Sequence, residues 1–408
     1  MRILFLHNAF ASANEQGSGR AYDFAKQLVD DGHEVVIITS QYSYLTGESL
    51  AGDNPGWVVT ENHPAGFTVL RTWSVSGYHA SYAKRILGFV TFMVSSMTTA
   101  LTVPRPDVLV AASPPITVAM IGGLVAAIRR LPFVFEIRDL WSQVAAELGI
   151  VKSRMIISVV RAWERMLLRQ ARLVVINSPG FIEPLAYEGA ERSKIKLVPN
   201  GVDTTTFAPV PDRVAARKRL GFDGKFVVTY AGSLGFANDL GTVIETAELL
   251  RNEPGVELLL VGDGNRRKWA EAEVEKRELK NVRFTGAVAK QEVGTYLSAS
   301  DASFCTLLDT PLFRTVYPNK VFDAMACARP VILLVDGVIR ECVERANCGI
   351  FVKPGDARGF ADAVLKLRAS PALGDRMGAN GRDAVVREFD RWECARLMSR
   401  TLVSIPTR

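Results

Sequence analysis

MRILFLHNAFASANEQGSGRAYDFAKQLVDDGHEVVIITS, residues 1–40, carries the pattern that decides the fold. Arg2–His7 is an apolar, bounded run, which reads as a strand buried on both faces. Gln16-Gly17-Ser18-Gly19 follows as a Gly-rich loop. A helix is expected from about Arg20 to Asp31, with Tyr22, Phe24, Ala25, Leu28 and Val29 as its inner face. Gly32 stops it, and Val35–Thr39 is a second buried strand. Strand, loop, helix, strand in that order is the opening unit of a parallel sheet.

The rhythm continues outward from there. Strands are expected at Phe67–Arg71, Val108–Ala112, Phe133–Ile137, Leu173–Asn177 and Lys196–Val198, with helical patterns between them. It restarts after Asn200-Gly201. A connection rich in Thr, Pro and Gly (Val202–Lys225) leads to Phe226–Tyr230, Glu257–Val261, Asn281–Phe284, Ala302–Cys305, Val331–Leu334 and Ile350–Val352. Gly359–Arg368 and Glu393–Val403 read as terminal helices. The fold class is therefore α/β: two doubly wound, Rossmann-like domains in tandem. In such sheets ligands bind at the carboxyl ends of the strands, and the fold alone does not fix the chemistry.

The chain has 408 residues, long enough for two domains that each bury a core. Its net charge of +6 favours acidic partners, but no run of five or six basic residues and no nucleic-acid motif occurs, so nucleic acid is not an expected partner. The five cysteines include no CxxC and the four histidines no zinc spacing, which fits buried thiols in a reducing, cytoplasmic setting without a metal. Met1-Arg2 leads at once into Ile-Leu-Phe-Leu and then polar His7-Asn8, too short for a signal peptide. Ile86–Val103 carries no charge over 18 residues, yet six Ser and Thr dilute it. It reads as a buried helix or as one lying on a membrane face behind Lys84 and Arg85, rather than as a span. Arg161, Arg165 and Arg169 at i, i+4, i+8 form one helix stripe. They read as a solvated face or, with Lys84 and Arg85, as a patch for an anionic membrane.

Several stretches, in order along nearly the whole chain, resemble one family. They are Gly32-His33-Glu34-Val35, Arg138-Asp139-Leu140-Trp141, Pro199-Asn200-Gly201-Val202-Asp203, Tyr230-Ala231-Gly232-Ser233-Leu234-Gly235, Gly262-Asp263-Gly264 and Pro318-Asn319-Lys320-Val321-Phe322-Asp323-Ala324-Met325-Ala326. Together they look like a retaining glycosyltransferase of family four with the GT-B fold. Ser113-Pro114-Pro115 with the segment before Trp141 resembles the branch that makes bacterial cell-surface polysaccharides, O-antigen and capsule. The resemblance implies two domains facing across a cleft: an acceptor domain over residues 1–203, a nucleotide-sugar domain over 204–386, and a last segment, 387–408, returning to the first domain. It also implies a UDP- or GDP-sugar donor, no divalent metal or other cofactor, and a saccharide acceptor; the basic residues Lys84, Arg85, Arg161, Arg165 and Arg169 beside the apolar 86–103 stretch would suit an acceptor that is polyprenyl-diphosphate-linked. Reaction would occur on one sugar face, with the leaving phosphate helping to deprotonate the acceptor.

A nucleotide diphosphate needs donors and positive charge, which helix N-termini supply. Three loop–helix junctions qualify: Gly17 and Gly19, Gly232 and Ser233, and Asn319 with Lys320. Lys320 is the preferred phosphate cation, because a lysine at a helix start is unfavourable unless an anion joins it. Asp323 is the expected acceptor for ribose hydroxyls. Gly262, Asp263 and the backbone of Val288 resemble the base-facing loops. Asp139 is expected at the acceptor hydroxyl or transferred sugar. Arg138 is expected to pair with Asp139 or to meet an acceptor phosphate. The sequence departs from the family at Ser233 and Asn238, where many members carry Arg and Lys, and at Thr315 and Asp323, where many carry two glutamates. A nucleotide-sugar 2-epimerase or a non-catalytic nucleotide-sugar binding protein are the alternatives. An NAD dehydrogenase is excluded by the lack of G-x-G-x-x-G after the first strand.

Overall fold

The computed structural model describes residues 1–10, 19–43, 47–52, 56–75, 82–147 and 153–406. It divides into two units, Met1–Pro199 with Cys394–Arg408, and Asn200–Glu393. The first unit holds β1 (Arg2–Leu6), α1 (Arg20–Asp30), β2 (Glu34–Ser40), β3 (Val58–Asn62), β4 (Thr68–Thr72), α2 (Tyr82–Thr102), β5 (Val108–Ser113), α3 (Ile116–Arg129), β6 (Phe133–Ile137), α4 (Trp141–Glu147), α5 (Arg154–Gln170), β7 (Leu173–Ile176), α6 (Ile182–Tyr187) and β8 (Ile195–Leu197). Its sheet runs β3-β4-β2-β1-β5-β6-β7-β8, parallel except for the β3–β4 pair. The aliphatic runs of β5 and β6 are buried along their whole length, as central strands covered on both faces must be.

The second unit holds α7 (Arg213–Leu220), β9 (Phe226–Ala231), α8 (Leu240–Leu249), β10 (Val256–Val261), α9 (Arg267–Lys276), β11 (Val282–Gly286), α10 (Lys290–Ala299), β12 (Ala302–Thr306), α11 (Asn319–Ala326), β13 (Val331–Leu334), α12 (Val338–Arg345), β14 (Gly349–Phe351), α13 (Ala357–Ala369) and α14 (Pro371–Glu388); α15 (Arg391–Val403) follows. The sheet is all parallel, in the order β11-β10-β9-β12-β13-β14. Asp212, Asp239 and Asp356 cap α7, α8 and α13 by accepting backbone N–H bonds, which fixes where these helices start. Two apolar cores, one on each side of the sheet, hold this unit.

Four features differ from the sequence reading. Helix α7 lies inside the stretch 202–225 read as a connection, where Asp212 caps a helix too short and polar to show an apolar face. Strand β3 is an antiparallel edge strand whose exposed, mixed residues hide it from a search for buried runs. Helix α14 fills a stretch assigned no element, because its apolar positions are interrupted by Gly374, Gly378 and Gly381. The chain changes unit at Pro199/Asn200 and Glu393/Cys394 rather than after 203 and 386. Backbone bonds from Val202 N–H to Phe389 O (2.8 Å) and from Arg391 N–H to Val202 O (3.0 Å) hold both strands of the connection to the second unit. All five cysteines are buried.

Candidate functional site

In both sheets the strand order reverses beside the first strand of the unit: between β1 and β5, and between β9 and β12. These switch points open a crevice at the carboxyl ends of the strands. Most of the residues singled out above gather at one or the other.

In the second unit, β9 ends on Tyr230-Ala231 and runs into the loop Gly232–Asp239. Tyr230 closes a buried aliphatic strand, and its hydroxyl donates to Ser233 O at 2.7 Å. The Asn238 amide donates to the same carbonyl at 2.9 Å. Lys320, in the first turn of α11, reaches across to this loop. Its Nζ donates to Tyr230 Oη at 2.6 Å and to Asn238 Oδ1 at 2.8 Å, and lies 4.3 Å from the centre of the Tyr230 ring. Burial pushes the Tyr230 phenol up, so it stays protonated. Both partners of the ammonium are thus uncharged oxygens, and one of its three N–H donors is left over.

The first turn of α11 lacks a side-chain cap; the Val321 N–H bonds to Pro318 O at 3.1 Å, and no side chain caps the N–H groups before it, beside the lysine. The opposite holds at α8, where Asp239 already occupies the N-terminus. The loop 232–235 therefore offers no vacant helix end, contrary to the sequence expectation. Asn319, beside Lys320, accepts from the Asn200 amide at 3.0 Å. Asp323 lies one turn after Lys320 on α11. Burial raises its carboxyl to about 7, against the pull of Lys290, Arg391 and Lys320. Burial also lowers Lys320, opposed by Cys305 and Asp323.

Gly262 and Gly264 have a packing reason. A Cβ on Gly262 would sit 2.0 Å from Gly232 O, and one on Gly264 2.5 Å from Leu234 O. The two loops after β9 and β10 lie backbone on backbone, and only glycine fits between them. Asp263 accepts from the Gly264 N–H at 2.7 Å and pairs with Arg267, which also binds Glu271. The structure thus turns Asp263 toward its own helix start, away from the role expected of it as a base-facing group. Val288 packs its side chain on the core, leaving its main chain at the end of β11.

In the first unit, Gly17 lies outside the described residues and Gly19 is the N-cap of α1. Arg138 does not pair with Asp139. Its Nη1 donates to His7 Nε2 at 3.2 Å, at the end of β1, while Asp139 lines a small cavity with Ser113, Phe135, Leu140 and Glu164. Adjacent residues leaving a strand point to opposite sides, which is why the expected Arg–Asp pair does not form.

The sequence reading missed the pair beneath them. Arg20 and Glu136, both buried, join at 2.7 Å, and Arg20 also donates to Val198 O at 2.8 Å and to Pro199 O. Burial alone would raise Glu136, but Arg20, Arg138 and His7 together hold it below its ordinary value. Burial and Arg138 bring His7 down to about 4, so it is neutral. A glutamate inside the otherwise apolar Phe133–Ile137 strand was the available signal, since such a residue is buried only with a partner.

Comparison with known proteins assigns the two units. Residues 17–201 match the glycosyl transferase 4-like domain, and residues 212–384 match the glycosyl transferases group 1. The chain is a glycosyltransferase, its first unit carrying the 4-like domain and its second the group 1 domain. A glycosyl transferase named for colanic acid biosynthesis in Escherichia coli, WcaI, is 27% identical over 368 residues, 86% of this chain and 88% of that protein. A D-inositol 3-phosphate glycosyltransferase of Kineococcus radiotolerans is 30% identical over 229 residues; the match spans about half of each chain, 51%. The structure of Anabaena HepE with UDP superposes with a TM-score of 0.74 at 20% identity, covering 99% of this chain and 100% of that one. The fold of this glycosyltransferase is thus the GT-B fold. Its departures at Ser233 and Asn238 acquire a physical sense from the geometry. The Lys320 ammonium contacts Asn238, the position at which many members carry a lysine, at 2.8 Å.

Proposed function

We propose that the chain moves a sugar, with retention, from a UDP-sugar to a saccharide acceptor in cell-surface polysaccharide synthesis, the acceptor being lipid-linked. The observation that carries this reading is Lys320: a half-buried ammonium held only by neutral oxygens beside an uncapped helix N-terminus. Such a charge is costly alone and favourable with an anion. The leaving diphosphate lies there, and the lysine and the α11 N–H groups stabilise the charge that grows on it as the glycosidic bond breaks. Asp323, when ionised, accepts from the ribose hydroxyls, and the main chain at Ala287–Val288 meets the base. Ser233 and Asn238 line the diphosphate through the lysine they orient. Asp139 meets the acceptor hydroxyl from the first unit, and His7 orients Arg138 toward an acceptor phosphate. No divalent metal is required, because the phosphate charge is met by Lys320 and helix α11.

The test is thermal-shift binding of UDP, GDP and ADP with EDTA present. A ligand bound to the native state raises the midpoint by mass action. A UDP-selective rise that vanishes in Lys320→Ala supports the donor site. No rise with any nucleotide overturns it. The anomeric configuration of the product, read by NMR from a transferred or hydrolysed UDP-sugar, tests retention separately.

A further inference from the structure

Three neighbouring helices of the first unit are polarised the wrong way round for water. Helix α3 packs between α2 and α5 on one side of the sheet. On α2, Ser95 and Ser96 are 0% and 2% exposed, and their hydroxyls bond back to carbonyls of the helix and to Trp73 O. The same helix turns Leu87, Val90 and Val94 outward, each about half exposed. A helix facing solvent does the reverse. On α3, Leu124 and Ile128, one turn apart, also point out.

Helix α5 is the most pronounced. Leu167 and Leu168 are its buried residues. Met155, Val159, Trp163 and Met166 recur at i, i+4, i+8 and i+11, a single stripe, and Met155 is 74% exposed and Val159 52% exposed. Arg154, Arg161, Arg165 and Arg169 form the adjoining stripe of the same helix, and of these Arg165 is paired with Glu188 at 2.6 Å. Neither α2 nor α3 contains an acidic residue, and the one acid of α5, Glu164, is turned to Ser142, where burial raises its carboxyl. None of the described helices is long and apolar enough to cross a membrane.

We propose that the outer face of α2, α3 and α5 docks on an anionic phospholipid bilayer, with the helices lying in the interface plane. The apolar stripe enters the boundary between headgroups and acyl chains, Trp163 sits at headgroup level, and Arg154, Arg161 and Arg169 meet lipid phosphates. Charge selects this occupant over a second copy of the chain. A symmetric dimer through this face would set the same cationic rim against itself. The surface is separate from the donor site, so the proposal stands independently of the UDP-sugar reading.

The test is flotation of the full chain with vesicles of phosphatidylcholine alone or with roughly a third phosphatidylglycerol, at low and high salt. The wild type floats with the anionic vesicles at low salt and leaves them as salt rises. Val159→Ser with Trp163→Ser, and separately Arg154→Glu with Arg169→Glu, each lower the partition coefficient about tenfold or more. Both change exposed residues, so circular dichroism and the UDP thermal shift stay as in the wild type. Wild-type protein that ignores anionic vesicles at low salt overturns the proposal, as does equal flotation of the variants. A dimer seen by light scattering that Val159→Ser with Trp163→Ser dissolves, without any vesicle binding, assigns the face to a protein partner and also overturns it.

Discussion

Two charged clusters occupy equivalent places in the two units, at the switch point of each sheet, and they are built oppositely. In the first, Arg20 and Glu136 neutralise each other in the interior, and a neutral His7 leans on Arg138. In the second, Lys320 is held by a phenol and an amide, with its charge unspent. A closed ion pair stiffens the frame under a site. A cation with neutral partners waits for an anion. The same fold position thus serves structure in one unit and ligand binding in the other, and the partner's charge decides which.

The largest expected effect tests the closed cluster. Glu136→Gln leaves the Arg20 guanidinium buried without its counter-charge and is expected to cost about 3–5 kcal/mol in urea unfolding. Lys320→Ala removes no counter-ion and is expected to leave stability nearly unchanged while weakening UDP about 10- to 100-fold by calorimetry, the worth of a charge-assisted bond. Equal stability losses in the two variants would break the comparison. Next comes the loop scaffold. Gly262→Ala forces a methyl onto Gly232 O at a φ of +136°, and a melting and binding study is expected to show a loss of roughly 1–3 kcal/mol together with weaker UDP binding.

The smallest effects are those of pH, and they have opposite signs in the two clusters. His7 is lowered from 6.5 to about 4 in the folded state, so the unfolded chain binds the extra proton between those values. Stability therefore falls as pH drops through that window, and His7→Gln should flatten the fall. Asp323 is raised from 3.8 to about 7, so here the folded state holds the proton. Its contribution is a penalty that grows as pH rises from about 4 to 7, and Asp323→Asn should stabilise the free protein more at pH 8 than at pH 5. UDP binding moves the other way, tightening in the wild type as pH passes 7, because only the ionised carboxylate accepts from both ribose hydroxyls.

Much of this was legible before any coordinates. The buried strands Arg2–Leu6, Val108–Ser113 and Phe133–Ile137 announce themselves by unbroken apolar runs, and Lys320 by its awkward place at a helix start. Strand β3 was not legible because its residues alternate without a buried face, and α14 because its small residues carry packing through backbone rather than side chain. Glycine residues 262 and 264 could be marked as important but not explained. Their reason is a contact with another loop some thirty residues away in sequence.

What the amino-acid sequence determined by itself was what near neighbours set and periodicity shows: the strand–helix rhythm, the stop at Gly32, and the ordered motifs of the family. The tertiary structure alone decided which charges cancel and which remain. Arg20 meets Glu136 across 116 positions, and Lys320 meets Tyr230 across 90. It also decided that α2 hides its hydroxyls and shows its aliphatic side chains. Periodicity gives a helix two faces, but only packing against the rest of the chain chooses which face is inside.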